Sequence, residues 1–496
     1  MNMAQHIREN QLELVRFVWC DLHGMTRGKT LTASAAIKAL DNGVGMVSTA
    51  MLKDTSDRTV FKVFEANIAT DLPGFEYANT LTLHPIPSTF KILPWAHKTG
   101  WVQCQPAFPN GEWVPYDTRY QLTHALNKLS QHGLGMVCGL EIEFHIYKLR
   151  DPVHGENLDP DMAAWPGPSP CVSLIHPGFS LLSETCVDMA EEPLRIVQHT
   201  AQALGLPLLS LEVEFGPSQV EAVFDATDAL TAADNMVLFR SAVKQALRRA
   251  GYHATFMCRP PFAHIMSSGW HLHQSLVHLS DGSNAMMRDT TASATHTPPS
   301  NALHSLSAVG AHYLAGLLAH APAMTALSTP TVNGYGRFQP NALAPQSAVW
   351  GRDNRGAMLR VIGQAGDTAT RIENRLGEPA ANPYLYMASQ IHAGLHGIEQ
   401  QLTPGPSTDS PYTTHTSNNN EVDDTAALDT THTLTHHIPS NLQVAIQALQ
   451  SDTVMCDGFG EAFVHYYARI KASEYQRFEA AQDRDEFQRR EYFARI

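Results

Sequence analysis

Residues 135–147 read GMVCGLEIEFHIY. Leu140, Ile142 and Phe144 alternate with Glu141 and Glu143. Successive side chains of a strand point to opposite faces, so this run predicts a strand with one apolar face and both carboxylates on the other. Such a strand suits a sheet that is packed on one side and lines a polar cavity on the other. A solvated sheet face gives the same pattern, so the reading turns on whether other segments supply matching groups.

Other segments do. In EFGPSQVE (214–221), Glu214 and Glu221 lie seven residues apart. A straight strand would send them to opposite faces, but Gly216 and Pro217 break it and can return both carboxylates to one site. Glu212 shares the parity of Glu214 and ranks behind it. In GWHLHQS (269–275), His271 and His273 share a face. An H-x-H pair can serve zinc, yet neither a cysteine nor a third histidine lies nearby to support that metal. In RIENR (371–375), Arg371, Glu373 and Arg375 point one way. That is either a surface ion ladder, worth little, or a carboxylate flanked by guanidiniums that hold anions. The loop-rich stretch NGYGRFQPNALAPQSAVWGRDNRGAMLRV (333–361) adds Arg337, Arg355 and Arg360.

Glu141, Glu143, Glu214, Glu221 and Glu373 with His271 suit hard divalent cations such as Mg²⁺ or Mn²⁺. Paired ions of this kind clamp the oxygens of a transferring phosphoryl group. Without cations, clustered carboxylates would repel each other and protonate.

The chain has 496 residues, 43% of them hydrophobic, enough for a large core and more than one domain. A net charge of -14 with no long basic run argues against a sequence-independent grip on nucleic acid. The N-terminus lacks an apolar signal core, and no stretch approaches the roughly 18 apolar residues that span a bilayer. Seven scattered cysteines without a C-x-x-C pair predict a reduced, cytoplasmic protein.

Residues 12–19 read as a strand and DLHGMTRGKTL as a turn and return strand, followed by a helix over TASAAIKAL. Short strands broken by prolines fill 81–105, and TRYQLTHALNKLSQHG is an amphipathic helix ended by Gly133. The domain boundary is expected near 110, giving domains 1–109 and 110–496. Beyond it strands and helices alternate, including one long helix over 305–327, which predicts an α+β catalytic domain. Residues 403–438, rich in Thr, Ser, Asn and His, predict a mobile surface insertion, and 289–303 a smaller loop of the same kind.

In order, the E-x-E strand, E-x-G-P-x-Q-x-E, S-G-x-H-x-H-x-S-L, W-G-R-D-N-R and R-I-E-x-R-x-x-x-P-A-A-N-P-Y-L closely resemble the glutamine synthetase superfamily, from about residue 10 to the C-terminus apart from 403–438. The resemblance implies a small N-terminal β-grasp domain and a large catalytic domain whose curved antiparallel sheet is backed by helices. It implies a homo-oligomer, a double-ring dodecamer with active sites between subunits. It implies ATP and two or three Mg²⁺ or Mn²⁺ ions, and a γ-glutamyl phosphate that an amine attacks.

Carried over position by position, Glu143, Glu214 and Glu221 match ligands of the metal near glutamate. Glu141, His271 and Glu373 match ligands of the metal bridging ATP phosphates. His273 and Ser275 fall at nucleotide-contacting positions. Arg337 and Arg375 match the arginines that hold glutamate and the transferring group, with Gly269 beside them. Arg355, Arg360 and Arg371 match arginines on the nucleotide phosphates. Positioning and charge stabilisation are what phosphoryl transfer asks of a protein.

The departures are informative. Glutamine synthetases carry a glutamate three residues after the proline of R-x-x-P, where it helps attract and deprotonate ammonium. Here that position holds Leu343, which can do neither but can pack against a larger amine. The usual N-G-S-G before the histidines is Met266, Ser267, Ser268 and Gly269. No D-G-S-S loop is evident near the N-terminus, with Asp54 and Asp57 as possible substitutes. Such changes resemble the branch that joins glutamate to organic amines, γ-glutamylpolyamine synthetases included. The expectation is an ATP-dependent glutamate–amine ligase. The alternatives are an ordinary glutamine synthetase, a catalytically silent structural or regulatory member, and a metal-dependent hydrolase, against which the arginines argue.

Overall fold

The computed structural model describes residues 2–65, 71–150, 163–289, 305–339, 342–412 and 437–496. Strands β1 (Leu14–Cys20), β2 (Thr26–Thr32), β3 (Val44–Val47), β4 (Thr80–Pro85), β5 (Lys91–Ile92) and β6 (Thr99–Ala107) form one sheet. Its order is β2-β1-β6-β4-β3, with β5 on β6. β1 and β6 run parallel and the helix Ala33–Asn42 packs on the sheet, which fits the expected grasp.

The second sheet holds β7 (Leu134–Leu149), β8 (Val172–Leu174), β9 (Leu208–Val213), β10 (Gln219–Asp228), β11 (Tyr252–Thr255), β12 (Trp270–His278), β13 (Trp350–Arg352), β14 (Leu359–Ile362) and β15 (Arg371–Gly377). The order is β13-β14-β15-β12-β7-β10-β9, with β8 and β11 also on β7. Only β13–β14 is parallel among these pairings. The protein is therefore α+β, with an antiparallel sheet at the centre of the larger part.

Alternation along β7 is as the sequence predicts. Met136, Cys138, Leu140, Ile142 and Phe144 are buried, while Val137, Gly139, Glu141 and Glu143 face a partly open side. Trp270, Leu272, Ile372 and Leu376 extend the buried layer across β12 and β15. Helices cover it. Pro383–Glu399 is buried almost all round and packs on Ala308–Ala319, Thr118–Gln131 and Ala229–Arg249. The A-A-N-P-Y-L motif starts this helix: the Asn382 side chain accepts the Tyr384 N–H at 3.0 Å, and Pro383 takes the first turn, where its missing N–H costs nothing. Asn382 Nδ2 also donates to Asp21 O at 2.9 Å, tying the first sheet to the helix layer.

The single helix expected over 305–327 is two, Ala308–Ala319 and Ala321–Ser328. Pro322 lacks the N–H that would continue the ladder, and its ring clashes with the carbonyl four residues back. Asp54 and Asp57 are also otherwise engaged. Asp54 is fully buried, accepts the Ser56 and Arg58 N–H groups and pairs with Arg477 at 2.9 Å. Asp57 pairs with Arg27 at 2.6 Å. Of the expected surface insertion at 403–438 and the loop at 289–303, residues 413–436 and 290–303 lie outside the described residues. No helix among the described residues is long and apolar enough to cross a membrane, and the seven cysteines are unpaired thiols.

Candidate active site

Strand register builds the site. Glu221 on β10 lies opposite Glu143 on β7 and opposite Glu212 on β9. His271 on β12 lies opposite Glu141. Glu373 on β15 lies opposite His273 on one side and Arg360 of β14 on the other. Directly opposed residues share a face, so groups more than two hundred positions apart converge.

The distances are short. His271 Nδ1 is 3.4 Å from Glu141 Oε2 and 3.7 Å from Glu373 Oε1, and its Nε2 is 3.9 Å from Glu143. His273 Nε2 is 3.0 Å from Glu141 Oε1, and its Nδ1 is 3.0 Å from Arg371 Nε. Glu373, fully buried, is gripped by Arg375 Nη1 at 2.5 Å and Arg360 Nη1 at 3.0 Å. Three sets of ligand atoms each lie within 4.8 Å of one another: Glu141, Glu221 and His271; Glu141, His273 and Glu373; Glu212, Glu214 and Glu221.

The electrostatics divide these carboxylates. Burial, then the neighbouring Glu214, pushes the Glu143 carboxyl well up. Burial, then Glu143, Glu141 and Glu214, does the same to Glu221 more strongly. For Glu373 burial works the other way from the total: His271, Arg375, His273 and Arg360 outweigh it and hold the carboxyl down to about 2. Glu141 is likewise held low, against burial, by hydrogen bonds from His271 and His273. Burial, then Arg375, lowers His271 to about 4, which leaves its imidazole neutral, the form that binds metal.

These residues fit divalent cations. Oxygen donors predominate, one neutral imidazole joins them, and the buried Oε1 of Glu221 has no hydrogen-bond partner. Like-charged carboxylates opposed across a sheet are destabilising unless a counter-charge sits between them.

The remaining predicted residues fall around this core. Gly269 N–H donates to Glu143 Oε2 at 2.8 Å. A Cβ at Gly269 would stand 2.7 Å from Arg337 Nη2 and 3.0 Å from His271 Nε2, so the close approach needs a glycine. Arg337 is buried and donates to the carbonyls of Arg375, Leu376 and Gly377 at 2.9–3.3 Å. Leu343 is 59% exposed, and its carbonyl accepts from Arg375 Nη2 at 3.3 Å. Arg360 also grips Asp353 through Nε and Nη2. Arg355 sits exposed on the turn between β13 and β14, and none of the hydrogen bonds within the cluster involves it. Glu141, His273, Ser275 and Arg371 line a cavity of about 530 Å³, together with the apolar Leu140 and Phe224.

One contributor carried no role in the sequence reading, and another ranked there only behind its neighbour. Gln219, inside E-x-G-P-x-Q-x-E, donates to Glu143 Oε2 at 3.0 Å, Ser268 Oγ at 3.0 Å and Ser267 O at 3.2 Å, while its Oε1 accepts the Gly216 N–H. Glu212 joins Glu214 and Glu221, as its parity with Glu214 allowed.

Residues 115–490 match the family described as "Glutamine synthetase, catalytic domain". The chain belongs to the glutamine synthetase family. It is a ligase of that family. The chain is 36% identical over 475 residues to the "Gamma-glutamylanilide synthase" of an Acinetobacter species, covering 94% of this chain and 88% of that one. It is 30% identical to the "Glutamate--isopropylamine ligase" of a Pseudomonas species over 82% of each chain. The glutamine synthetase of Methanosarcina mazei is 28% identical over 97% of this chain and 94% of its own. A solved structure described as "Apo GmaS without ligand" superposes with a TM-score of 0.75 at 27% identity, covering 97% of both chains.

Proposed function

We propose that this glutamine synthetase relative is an ATP-dependent ligase that joins the γ-carboxylate of glutamate to an organic amine through a γ-glutamyl phosphate. One observation carries the reading. Glu141, Glu143, Glu221, His271, His273, Arg360 and Glu373 share one sheet face, while the position at which an ammonium-using enzyme needs a carboxylate is Leu343, exposed beside Arg375. Two relatives named for amides of carbon-bearing amines, an anilide and isopropylamine, support the organic amine.

Glu143, Glu214 and Glu221 are suited to hold the ion near the acid, and Glu141, His271 and Glu373 the ion near the ATP phosphates; whether two or three ions bind belongs to the proposal. Such cations, when bound, neutralise phosphate oxygens. His273 and Ser275 on the cavity wall contact the nucleotide, and Arg355, Arg360 and Arg371 face its phosphates. Arg375, with one buried Nε left unpartnered, and Arg337 behind it stabilise charge on the acid and the transferring group. Gln219 and the Gly269 N–H fix the Glu143 carboxylate. The γ-carboxylate oxygen displaces ADP from the terminal phosphorus, and the amine then displaces phosphate from the acyl carbon.

A homo-oligomer, a double-ring dodecamer with sites between subunits, a cytoplasmic location and the division into domains 1–109 and 110–496 are parts of the same proposal. Family membership supports the first, unpaired thiols the second, and the separate sheets the third.

A second reading, glutamine formation from ammonium, has Glu212 in its favour, an extra carboxylate beside Glu214 and Glu221. Phosphate release with glutamate, ATP and Mg²⁺ decides, measured against ammonium, methylamine, ethanolamine, putrescine, spermidine and aniline. An organic amine should give the fastest release; best turnover with ammonium overturns the proposal.

A further inference from the structure

Beside the acid-side carboxylates the chain builds a surface that the ion and phosphate groups do not use. Residues 178–182, GFSLL, lie along the end of β9. The Phe179 N–H donates to Phe215 O at 2.7 Å and the Leu182 N–H to Val213 O at 3.1 Å. Gly178, at φ +71°, presses on the Gly216–Pro217 turn so closely that a Cβ there would be 2.3 Å from the Pro217 nitrogen. The rings of Phe179 and Phe215 meet edge to face, with centroids 5.6 Å apart and planes at 85°.

Both rings are open, at 53% and 43% exposure. Phe179 and Leu182 stand at φ +58° and +56°, a conformation that bulky side chains rarely adopt unless their surroundings impose it. The pair is therefore an apolar surface held in a fixed orientation, not a loose flap. Its place is specific. Phe215 follows Glu214 directly, and its N–H donates to Glu214 Oε2 at 3.2 Å. Phe215 thus adjoins the Glu214 carboxylate, which groups with those of Glu212 and Glu221. A fixed apolar patch rimmed by charge marks a binding surface.

We propose that Phe179 and Phe215 seat the aromatic ring of the nucleophile, so that the amine this enzyme ligates is an arylamine. The inference rests on the ligase reading above and names the substrate class of its second half-reaction. A third ring completes the edge-to-face arrangement that aromatic side chains favour. The nitrogen lone pair of an arylamine is delocalised into its ring, so the molecule is neutral at pH 7 and needs no carboxylate to deprotonate it before attack. Leu343 at the ammonium-site position suits that nucleophile. In the step, the arylamine lone pair forms the C–N bond to the γ-acyl carbon. The C–O bond to phosphate breaks, phosphate leaves with its electron pair, and the nitrogen loses one proton to water.

The test uses the whole chain with glutamate, ATP and Mg²⁺, and four nucleophiles: aniline, spermidine, ammonium and hydroxylamine. Hydroxylamine is small, and its γ-glutamyl hydroxamate reports acyl phosphate formation whatever the seat accepts. The expected result is that aniline exceeds spermidine and ammonium in kcat/KM, and that Phe179→Leu and Phe215→Leu each lower the aniline-to-hydroxylamine ratio of kcat/KM roughly tenfold, mainly through the KM for aniline. Hydroxamate formed without anilide, a preference for spermidine, or an unchanged ratio in both variants overturns the seat and leaves the ligase. Variants with a changed subunit number and an unchanged ratio make the ring pair a subunit contact and overturn it as well. No hydroxamate from the unaltered protein removes the ligase reading and the seat with it. Should neither variant fold, the ranking of aniline against spermidine in the unaltered protein still decides.

Discussion

Glu221 stands directly across the β7–β10 pair from Glu143 on one shared face of the sheet. Burial, then Glu214 beside Glu143 and Glu143 beside Glu221, pushes both carboxyls above the ordinary value of 4.5. Above pH 4.5 the folded, cation-free protein therefore binds more protons here than the unfolded chain does. Its stability falls as pH rises through that window. Glu141 and Glu373 are shifted the opposite way, so their contribution is complete above pH 4.5 and is lost only at lower pH. A cation displaces the retained protons, so its affinity rises with pH. The thermal midpoint in Mg²⁺ minus that in EDTA should be several degrees larger at pH 8.5 than at pH 6, and proton release should accompany binding in calorimetry. A pH-independent difference would show that the pair does not hold the ion.

Gln219→Leu should weaken Mg²⁺ binding at the acid-side carboxylates by about 10- to 100-fold, the usual effect of removing a group that orients a ligand. The change also leaves the Gly216 N–H without its side-chain acceptor, and Ser267 O and Ser268 Oγ without this donor, at a cost of about 1–3 kcal/mol. Gln219→Glu keeps the shape but adds a charge beside Glu143 and should bind Mg²⁺ at least as weakly as the unaltered protein at low pH. Titration of protein fluorescence with Mg²⁺, beside a denaturant midpoint, separates the two effects. Unaltered affinity in the leucine variant would make Gln219 a structural brace only.

The alternation of Glu141 and Glu143 with apolar neighbours was legible from one sequence because strand faces repeat every two residues. So were most helices, from their caps and periods. The convergence was not legible that way. His271 meets Glu141 only because β12 pairs β7 in one register, and nothing local to either strand fixes it; the family motifs supplied that link. Gln219 was visible as a letter of a motif, but its partners Glu143 and Ser268 come from elsewhere in the chain. Asp54 shows the converse. As a sequence it looked available to a substrate site, but Arg477, 423 positions away, engages it. The break at His320 was signalled by Pro322 and overridden in the reading by the length of the apolar run.

Glu373→Ala should do more than remove an ion ligand. The carboxylate is fully buried between Arg360 and Arg375, and its loss leaves buried guanidiniums with less counter-charge, a destabilisation of about 3 kcal/mol. Glu373→Gln keeps hydrogen-bonding capacity and volume while removing the charge. It should fold with a midpoint nearer that of the unaltered protein and lose ATP-dependent phosphate release by on the order of a hundredfold or more. Thermal midpoints and phosphate release for the two variants check this. Near-normal turnover of the glutamine variant would take Glu373 out of the phosphate site.

Leu343→Glu tests what selects the nucleophile. The side chain is 59% exposed and the backbone is already at φ +51°, so the exchange adds no new strain and should change stability by no more than about 0.5 kcal/mol. The Arg375 contact uses the Leu343 carbonyl, which the substitution keeps. What changes is the field at the proposed amine entrance. A carboxylate there attracts a cation and can take its proton, so the ratio of ammonium to organic-amine turnover should rise by roughly tenfold, one charge pair's worth at a partly exposed site. Phosphate release with each nucleophile measures the ratio. If it stays fixed while the protein remains folded, Leu343 does not discriminate between nucleophiles, and selection falls to Glu212, Glu214 and the rings beside them.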